Sequence, residues 1–198
     1  PAAPLTNPAA AVARLGLGHV MALAVAAVSE RLMRPAIRAL QIAEDELWNQ
    51  SQRATLFVEA LPRLQILPPR DAALAALLHN VGKVSLYQHL PETQAKFLLE
   101  AYQSDKDPTE VETELLGLNF ADVGGRIAQH WGLPDEISRA IVVHPNPERD
   151  PFPLGDVTHL AALAGAKHPP SRIQKSVLER LEKNEDDFRA IFSEIRES

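Results

Sequence analysis

The segment Leu77–Lys83 combines residue types that could take part in chemistry. His79 and Asn80 follow a run rich in alanine and leucine, and Gly82 and Lys83 come shortly after them. Polar groups are costly to bury in such surroundings, so a histidine here is either hydrogen-bonded at a helix end or functional. In the functional interpretation, His79 binds a metal and Lys83 meets an anion such as phosphate. One histidine cannot hold a catalytic metal, which takes about three protein ligands.

The same segment matches the pattern Leu-Leu-His-Asp-Ile-Gly-Lys of the HD superfamily and, within it, of the HD-related output domain, HDOD. Further segments follow HDOD patterns in the same order: Ala13–Gly16, Leu47–Ser51, Glu112–Gly124, Trp131–Pro134 and Ile141–His144. The sequence therefore resembles the HDOD family over about residues 8–166. The resemblance implies a compact, all-α, multi-helix bundle.

The resemblance also implies a domain organisation. We expect residues 1–198 to form a single HDOD-like helical domain, in which residues 171–198 are a C-terminal helical extension. The family's module usually has several more helices before the segment that begins near residue 10. We expect those N-terminal helices to be missing, so that this chain is the C-terminal portion of a longer protein.

The family also indicates where catalytic HD enzymes place their metal ligands. In those enzymes, histidines and aspartates from separate helices bind one or two divalent metals, which activate water against a phosphoester. The matching residues here are Gln50, His79, Asn80, Phe120, His144 and Ala162. Two imidazoles remain and no carboxylate does, although a hard divalent cation needs carboxylate oxygens or a full set of imidazoles. We therefore expect a degenerate site that binds no metal and uses no cofactor.

The resemblance then implies a non-catalytic bacterial signal-transduction output or adaptor module. Such a module binds a protein partner or acts on an attached signalling domain, and His79 and Asn80 form hydrogen bonds that hold its helices together. Two alternatives stay open. One is a metal-dependent phosphohydrolase acting on a nucleotide or cyclic dinucleotide, with His159 completing an altered site. The other is a nucleotide sensor, in which Lys83 and His144 contact a phosphate.

Secondary-structure elements must position these residues. The spacing of hydrophobic residues is helical along most of the chain. Predicted helices cover about residues 12–27, 45–60, 72–78, 92–102, 108–116, 120–131, 135–143, 155–166 and 172–195, and no alternation is long enough for a sheet. We expect Asp71 to cap the third of these helices, and Gly132 to end the sixth. Gly124 and Gly125 indicate a close contact between two helices.

The last predicted helix has two different faces. Its many glutamates and aspartates alternate with lysines and arginines, which is typical of a solvated surface with ion pairs one turn apart. The opposite face carries Phe188, Ile191, Phe192 and Ile195 at helical spacing. We expect this apolar stripe to dock the helix on the body of the domain.

The composition excludes several classes of protein. The chain has no cysteine, which excludes a disulfide scaffold, a thiolate metal site and cysteine catalysis. Its net charge is −6 and only 5% of its residues are aromatic, so it lacks the usual charge and stacking signature of nucleic-acid binding. Its most apolar run, residues 20–28, is about half of the roughly 20 residues that a spanning helix needs. We expect a cytoplasmic protein that binds neither nucleic acid nor membrane.

Overall fold

The structure is a computed structural model that describes residues 17–35, 37–61, 69–88, 90–102, 107–166 and 173–197. Within these ranges the chain is helical almost throughout, and the only strand-like pairing is an isolated bridge between Ile37 and Ile42. The predicted all-α bundle is therefore confirmed.

The helices follow most of the predicted segments closely. In chain order they are α1 (Leu17–Met33), α2 (Glu46–Ala60), α3 (Pro69–Leu78), α4 (Val81–Tyr87), α5 (Glu92–Tyr102), α6 (Pro108–Leu116), α7 (Phe120–His130), α8 (Asp135–Val143), α9 (Pro153–Gly165), α10 (Lys175–Arg180) and α11 (Glu185–Glu197). Single-turn 3-10 helices lie at Arg38–Leu40 and Pro147–Arg149. Among the described helices, none has both the length and the apolar character that crossing a bilayer requires.

Side chains that cap helix N-termini explain why α6 and α7 begin where they do. The Asp107 carboxylate accepts a hydrogen bond from the Thr109 backbone N–H at 2.8 Å. The Asn119 side chain accepts from two backbone N–H groups in the first turn of α7, each at 3.0 Å. Each of these bonds satisfies a donor that has no partner inside its helix. Asn119 thereby fixes Phe120 as the first residue of α7.

Two further helix boundaries test the sequence predictions. Gly132 follows α7 with a φ of +70°, a conformation that suits glycine, so the predicted end of this helix is confirmed. The prediction that Asp71 caps α3 is wrong. This helix begins at Pro69, so Asp71 lies inside its first turn. A proline suits the first turn of a helix because its missing N–H has no helical acceptor there.

The core forms where α2 packs against α3 and α9, and where α7 packs against α4 and α8. Phe57 of α2 and Ile141 of α8 are completely buried within it. The predicted close contact at Gly124 is confirmed, since a Cβ there would lie 2.9 Å from the Cγ2 atom of Ile141. The glycine therefore lets α7 approach its neighbours closely, which brings Phe120 at the start of the same helix near the end of α8.

The C-terminal segment differs from the prediction of one continuous helix. The chain breaks after α10, where Glu182 adopts a left-handed φ of +54°, and α11 starts again beyond Asn184. Asn184 and Asp187 exchange side-chain to backbone hydrogen bonds of 2.9 and 3.1 Å, an arrangement that starts a helix. The single-helix prediction was wrong because residues of high helical propensity lie on both sides of this local cap.

The apolar stripe of α11 docks on the domain as predicted. Phe188 and Ile195 are buried, and Ile191 and Phe192 pack against the core while partly exposed. The Phe188 ring lies 5.2 Å from the ring of Phe57 in α2, measured between centroids. Aromatic pairs at this separation stabilise beyond the area they bury.

An ion pair attaches α10 to α9. The Arg180 guanidinium donates to both oxygens of Asp156, at 2.8 and 2.7 Å, and Asp156 is 1% exposed. Arg180 also binds Glu148, whose carboxylate accepts from the Ser176 hydroxyl. The C-terminal helices are thus held by a part-buried bidentate contact to the buried Asp156 as well as by apolar packing.

Candidate functional site

Three of the predicted site residues lie in one cluster at the junction of four helices. His79 follows the last residue of α3, Phe120 opens α7, and His144 follows the end of α8. The His79 and His144 rings meet edge to face with centroids 5.3 Å apart, and the Phe120 ring lies 5.6 Å from His144. All three side chains are nearly inaccessible to solvent. The structure therefore brings together the two imidazoles and the phenyl ring that the sequence placed at ligand positions.

Backbone hydrogen bonds define the orientation of the imidazoles. His79 Nδ1 lies 2.6 Å from the carbonyl oxygen of Ala76, and His144 Nδ1 lies 2.7 Å from that of Ile141. His159 in α9 makes the same type of bond, at 2.7 Å, to the carbonyl oxygen of His144. A carbonyl oxygen only accepts, so each Nδ1 donates its hydrogen and each Nε2 keeps a lone pair in the neutral ring.

Burial keeps these imidazoles neutral. Desolvation lowers the pKa of His79 from 6.5 to about 4, with a smaller lowering by the nearby charge of Lys83. Desolvation also lowers the pKa of His144 well below its usual value, and His79 adds to this effect. The pKa of His159 is lowered as well, again mainly by burial. A charged imidazole at His79 or His144 would lose its hydration without gaining a carboxylate partner, whereas the carboxylates of Asp156 and Glu148 partly oppose the lowering of the His159 pKa.

These pKa values predict that the domain loses stability in mild acid. As the pH falls below 6.5, histidines of the unfolded chain bind protons, whereas the buried imidazoles of the folded chain stay neutral. Proton binding therefore stabilises the unfolded state, and the free energy of unfolding falls as the pH falls. His79 alone should lower it by about 1 kcal/mol between pH 7.5 and pH 5.5. Urea unfolding at both pH values measures this, with a smaller pH effect expected in His79→Gln. The substitution His130→Gln on the surface of α7 is the control, and an equal pH effect in wild type and His79→Gln would contradict the prediction.

Gln50 and Asn80 form a second polar contact, beside His79. The Asn80 amide donates to Gln50 Oε1 at 3.1 Å, and the Gln50 amide donates to Glu46 Oε1 at 2.9 Å. This chain of hydrogen bonds joins α2 to the turn between α3 and α4. The Oδ1 atom of Asn80 is buried and has no hydrogen-bond partner among the described residues. It is an acceptor without a donor, which is costly in a dry interior.

Lys83 extends over the Phe120 ring, with its Nζ atom 4.6 Å from the centroid. Burial lowers the pKa of this ammonium to about 8, while the carboxylate of Glu112 opposes the shift. An ammonium at this distance from an aromatic face is held by the ring's quadrupole. The structure thus places a phenyl ring and a lysine beside the two imidazoles.

Glu112 contacts this cluster but was not among the predicted site residues. It is completely buried, its Oε2 accepts from the Phe120 backbone N–H at 2.7 Å, and its Oε1 accepts from the Tyr87 hydroxyl. The carboxylate therefore stabilises the N-terminus of α7, where the helix dipole favours negative charge. The family pattern was the signal that could have identified it, because the HDOD segment containing Phe120 begins at Glu112.

The last predicted ligand position lies on α9. Ala162 has no side-chain ligand atom and is partly exposed, whereas His159, almost one turn earlier, is buried against the His144 carbonyl. In the described part of the chain, no group of three or more histidine, cysteine, aspartate or glutamate side chains is arranged to hold a metal. A catalytic divalent metal takes about three such ligands, and Phe120 offers none. The residues at these positions therefore do not fit the metal centre of HD hydrolases.

Comparison with known proteins places this arrangement in a family. The HDOD domain model matches residues 2–147. An uncharacterised protein from Treponema pallidum (strain Nichols) is 31% identical over 115 residues, which are 55% of this chain and 22% of that protein. The match thus spans about a fifth of that relative's length, so what the whole relative does is not transferred.

Two solved structures show the same fold. A candidate signal transduction protein from Marinobacter aquaeolei VT8 superimposes with a TM-score of 0.68 and 25% identity, covering 98% of this chain and 46% of that one. An HDOD domain protein of unknown function from Geobacter sulfurreducens has a TM-score of 0.55 and 21% identity, covering 96% and 65%. With a family model matched over most of its length and helices that superimpose on these structures, the chain belongs to the HDOD domain family.

Proposed function

We propose that this chain is a non-catalytic bacterial signal-transduction output module that acts in the cytoplasm by binding a partner. The observation that carries the proposal is the Phe120 ring, which packs against His144 where a ligand would be needed and lies under the Lys83 ammonium. A positive charge and an apolar ring oppose the binding of a divalent cation between the imidazoles. The similarity to a candidate signal transduction protein supports the signalling part of the proposal.

A metal-dependent phosphohydrolase is the second candidate, and one observation favours it. His79, His144 and His159 all direct Nδ1 to a backbone carbonyl, the orientation in which a metal-binding histidine keeps Nε2 available. Against it, no carboxylate stands at any of the six matching ligand positions, and no group of three or more histidine, cysteine, aspartate or glutamate side chains among the described residues is arranged to hold a metal. A nucleotide contact at Lys83 is a further proposal, and it would require this side chain to leave the Phe120 ring.

Hydrolysis assays distinguish these functions. The full chain is incubated with Mn²⁺, Fe²⁺ or Mg²⁺ and with p-nitrophenyl phosphate, bis-p-nitrophenyl phosphate or a cyclic dinucleotide. We expect no turnover above that of the double variant His79→Ala/His144→Ala, because a metal-activated water needs about three protein ligands around the ion. Metal-dependent turnover by the wild type that this double variant loses would overturn the non-catalytic proposal.

A further inference from the structure

A groove of about 520 Å³ opens between α4 and α7, with α1 along one side. Its apolar lining comes from Leu32 of α1, Val84 of α4, Val123 and Ile127 of α7, and Trp131, which directly follows α7. Leu32 is 40% exposed, and the other four side chains are partly exposed. The groove therefore presents apolar surface to solvent on a face that no described helix covers.

The charge at the edge of this groove has one sign. Arg126, which is exposed, is the one lysine, arginine, aspartate or glutamate among the described residues that line it. No ion pair joins Arg126 to another described residue. The chain as a whole has a net charge of −6, so this basic edge contrasts with the rest of the surface. Unpaired arginines beside apolar surface are typical of contact sites for acidic partners.

The shape of the groove fits a helix. Val123 and Ile127 of α7 and Trp131, the residue after this helix, are spaced four residues apart. On the other side, the groove is lined by Val81, Val84 and Ser85 of α4 and by Gln88, the residue after it. Residues 123 to 131 would extend over about 12 Å of helix axis, or roughly two turns. Two ridges of about this length accept the apolar side chains that an amphipathic helix presents at positions i, i+3, i+4 and i+7.

We propose that the groove between α4 and α7 binds an acidic amphipathic helix of a partner protein, with apolar side chains on Val84 and Ile127 and a carboxylate on Arg126. This inference rests on the proposed function and names the chemistry of the partner. The larger groove of about 820 Å³ beside α2 does not carry the same argument, because Glu46, Glu59 and Arg53 line it together.

The probe for this proposal is a fluorescein-labelled amphipathic peptide with leucines at i, i+3, i+4 and i+7 and glutamates at its other positions. Its control carries lysines in place of the glutamates. Fluorescence anisotropy with the full chain should show at least tenfold tighter binding of the acidic peptide, because like charges repel at the arginine edge. Equal binding of the two peptides, or binding of neither, would overturn the proposal.

Variants locate the binding site. Arg126→Glu, on the exposed surface of α7, should weaken binding of the acidic peptide at least tenfold, and Leu32→Asn should weaken it through the apolar side. Arg149→Glu makes the same charge change at an exposed arginine that lines a different cavity, and it should leave the affinity within about twofold. Equal effects of the two arginine variants would place the peptide elsewhere and overturn the proposal.

Sedimentation of the chain alone tests a second copy as the occupant. Dimers that Arg126→Glu dissociates would assign the groove to self-association and overturn the proposal of a partner helix. The hydrolysis assays keep this inference separate from the proposed function. Metal-dependent turnover overturns the non-catalytic function whether or not the peptide binds. Absence of both turnover and peptide binding overturns only the proposal that the groove binds a partner helix.

Discussion

Gly82→Ala is expected to destabilise the domain by at least about 3 kcal/mol, or to prevent its folding. A Cβ atom at this position would lie 1.9 Å from the Phe120 carbonyl oxygen and 2.5 Å from the Gly124 nitrogen. Both are backbone atoms, so no side-chain rotation can relieve the overlap. α4 and α7 would have to separate, and the junction that holds Phe120 would open. The free energy of unfolding from urea titration measures the effect.

Ser85→Ala is the matched control for this prediction. It introduces the same residue into the same helix, at an exposed position, and should change stability by less than about 0.5 kcal/mol. A Gly82→Ala protein as stable as the Ser85→Ala protein would show that α4 and α7 do not approach as closely as described.

Arg180→Met is expected to destabilise the domain by about 3 kcal/mol or more. The substitution retains most of the aliphatic length of the side chain but removes both hydrogen bonds to Asp156, which is 1% exposed. A buried carboxylate without its guanidinium loses the interaction that offsets its desolvation. Because Arg180 ends α10, the same change should loosen α10 and α11 and speed proteolysis of the C-terminal segment. Urea unfolding and limited trypsin digestion measure the two effects.

Two further variants separate the buried ion pair from general effects of losing an arginine. Arg189→Met breaks an exposed pair with Glu185 one turn away and should have a much smaller effect. The double variant Arg180→Met/Asp156→Asn should recover part of the lost stability, because it removes the unpaired charge. Equal losses in Arg180→Met and Arg189→Met would mean that the contact with Asp156 does not anchor the C-terminal helices.

Much of the architecture around the site could be predicted because short-range sequence patterns determine it. The apolar run before His79 and the glycine after α7 each act within one or two turns of helix, where residue type decides the conformation. The family resemblance then supplied the long-range information that His79, Phe120 and His144 meet. Periodicity alone would not have brought together residues separated by more than sixty positions.

What could not be predicted depends on contacts between distant segments. Glu110, Glu112 and Glu114 alternate along the sequence, a spacing that does not place all three on one helix face. Only the turn between α6 and α7 brings the Glu112 carboxylate to the Phe120 N–H. The break at Glu182 redirects the chain so that Phe188 of α11 packs on Phe57. Local helix propensity does not predict such a long-range contact. The effect of the Lys83 charge on the pKa of His144 likewise arises only when α4 and the end of α8 come together in the fold.

The metal content of tag-free protein tests most directly whether this HDOD domain lacks a catalytic centre. The protein is incubated with Mn, Fe, Zn, Mg and Ni, desalted and analysed for each element. Because Phe120 and Ala162 offer no ligand atom at positions where ligands would be needed, we predict metal well below one ion per chain, unchanged in His79→Ala and His144→Ala. Metal close to one ion per chain that both variants lose would contradict the account and restore the phosphohydrolase as the leading function.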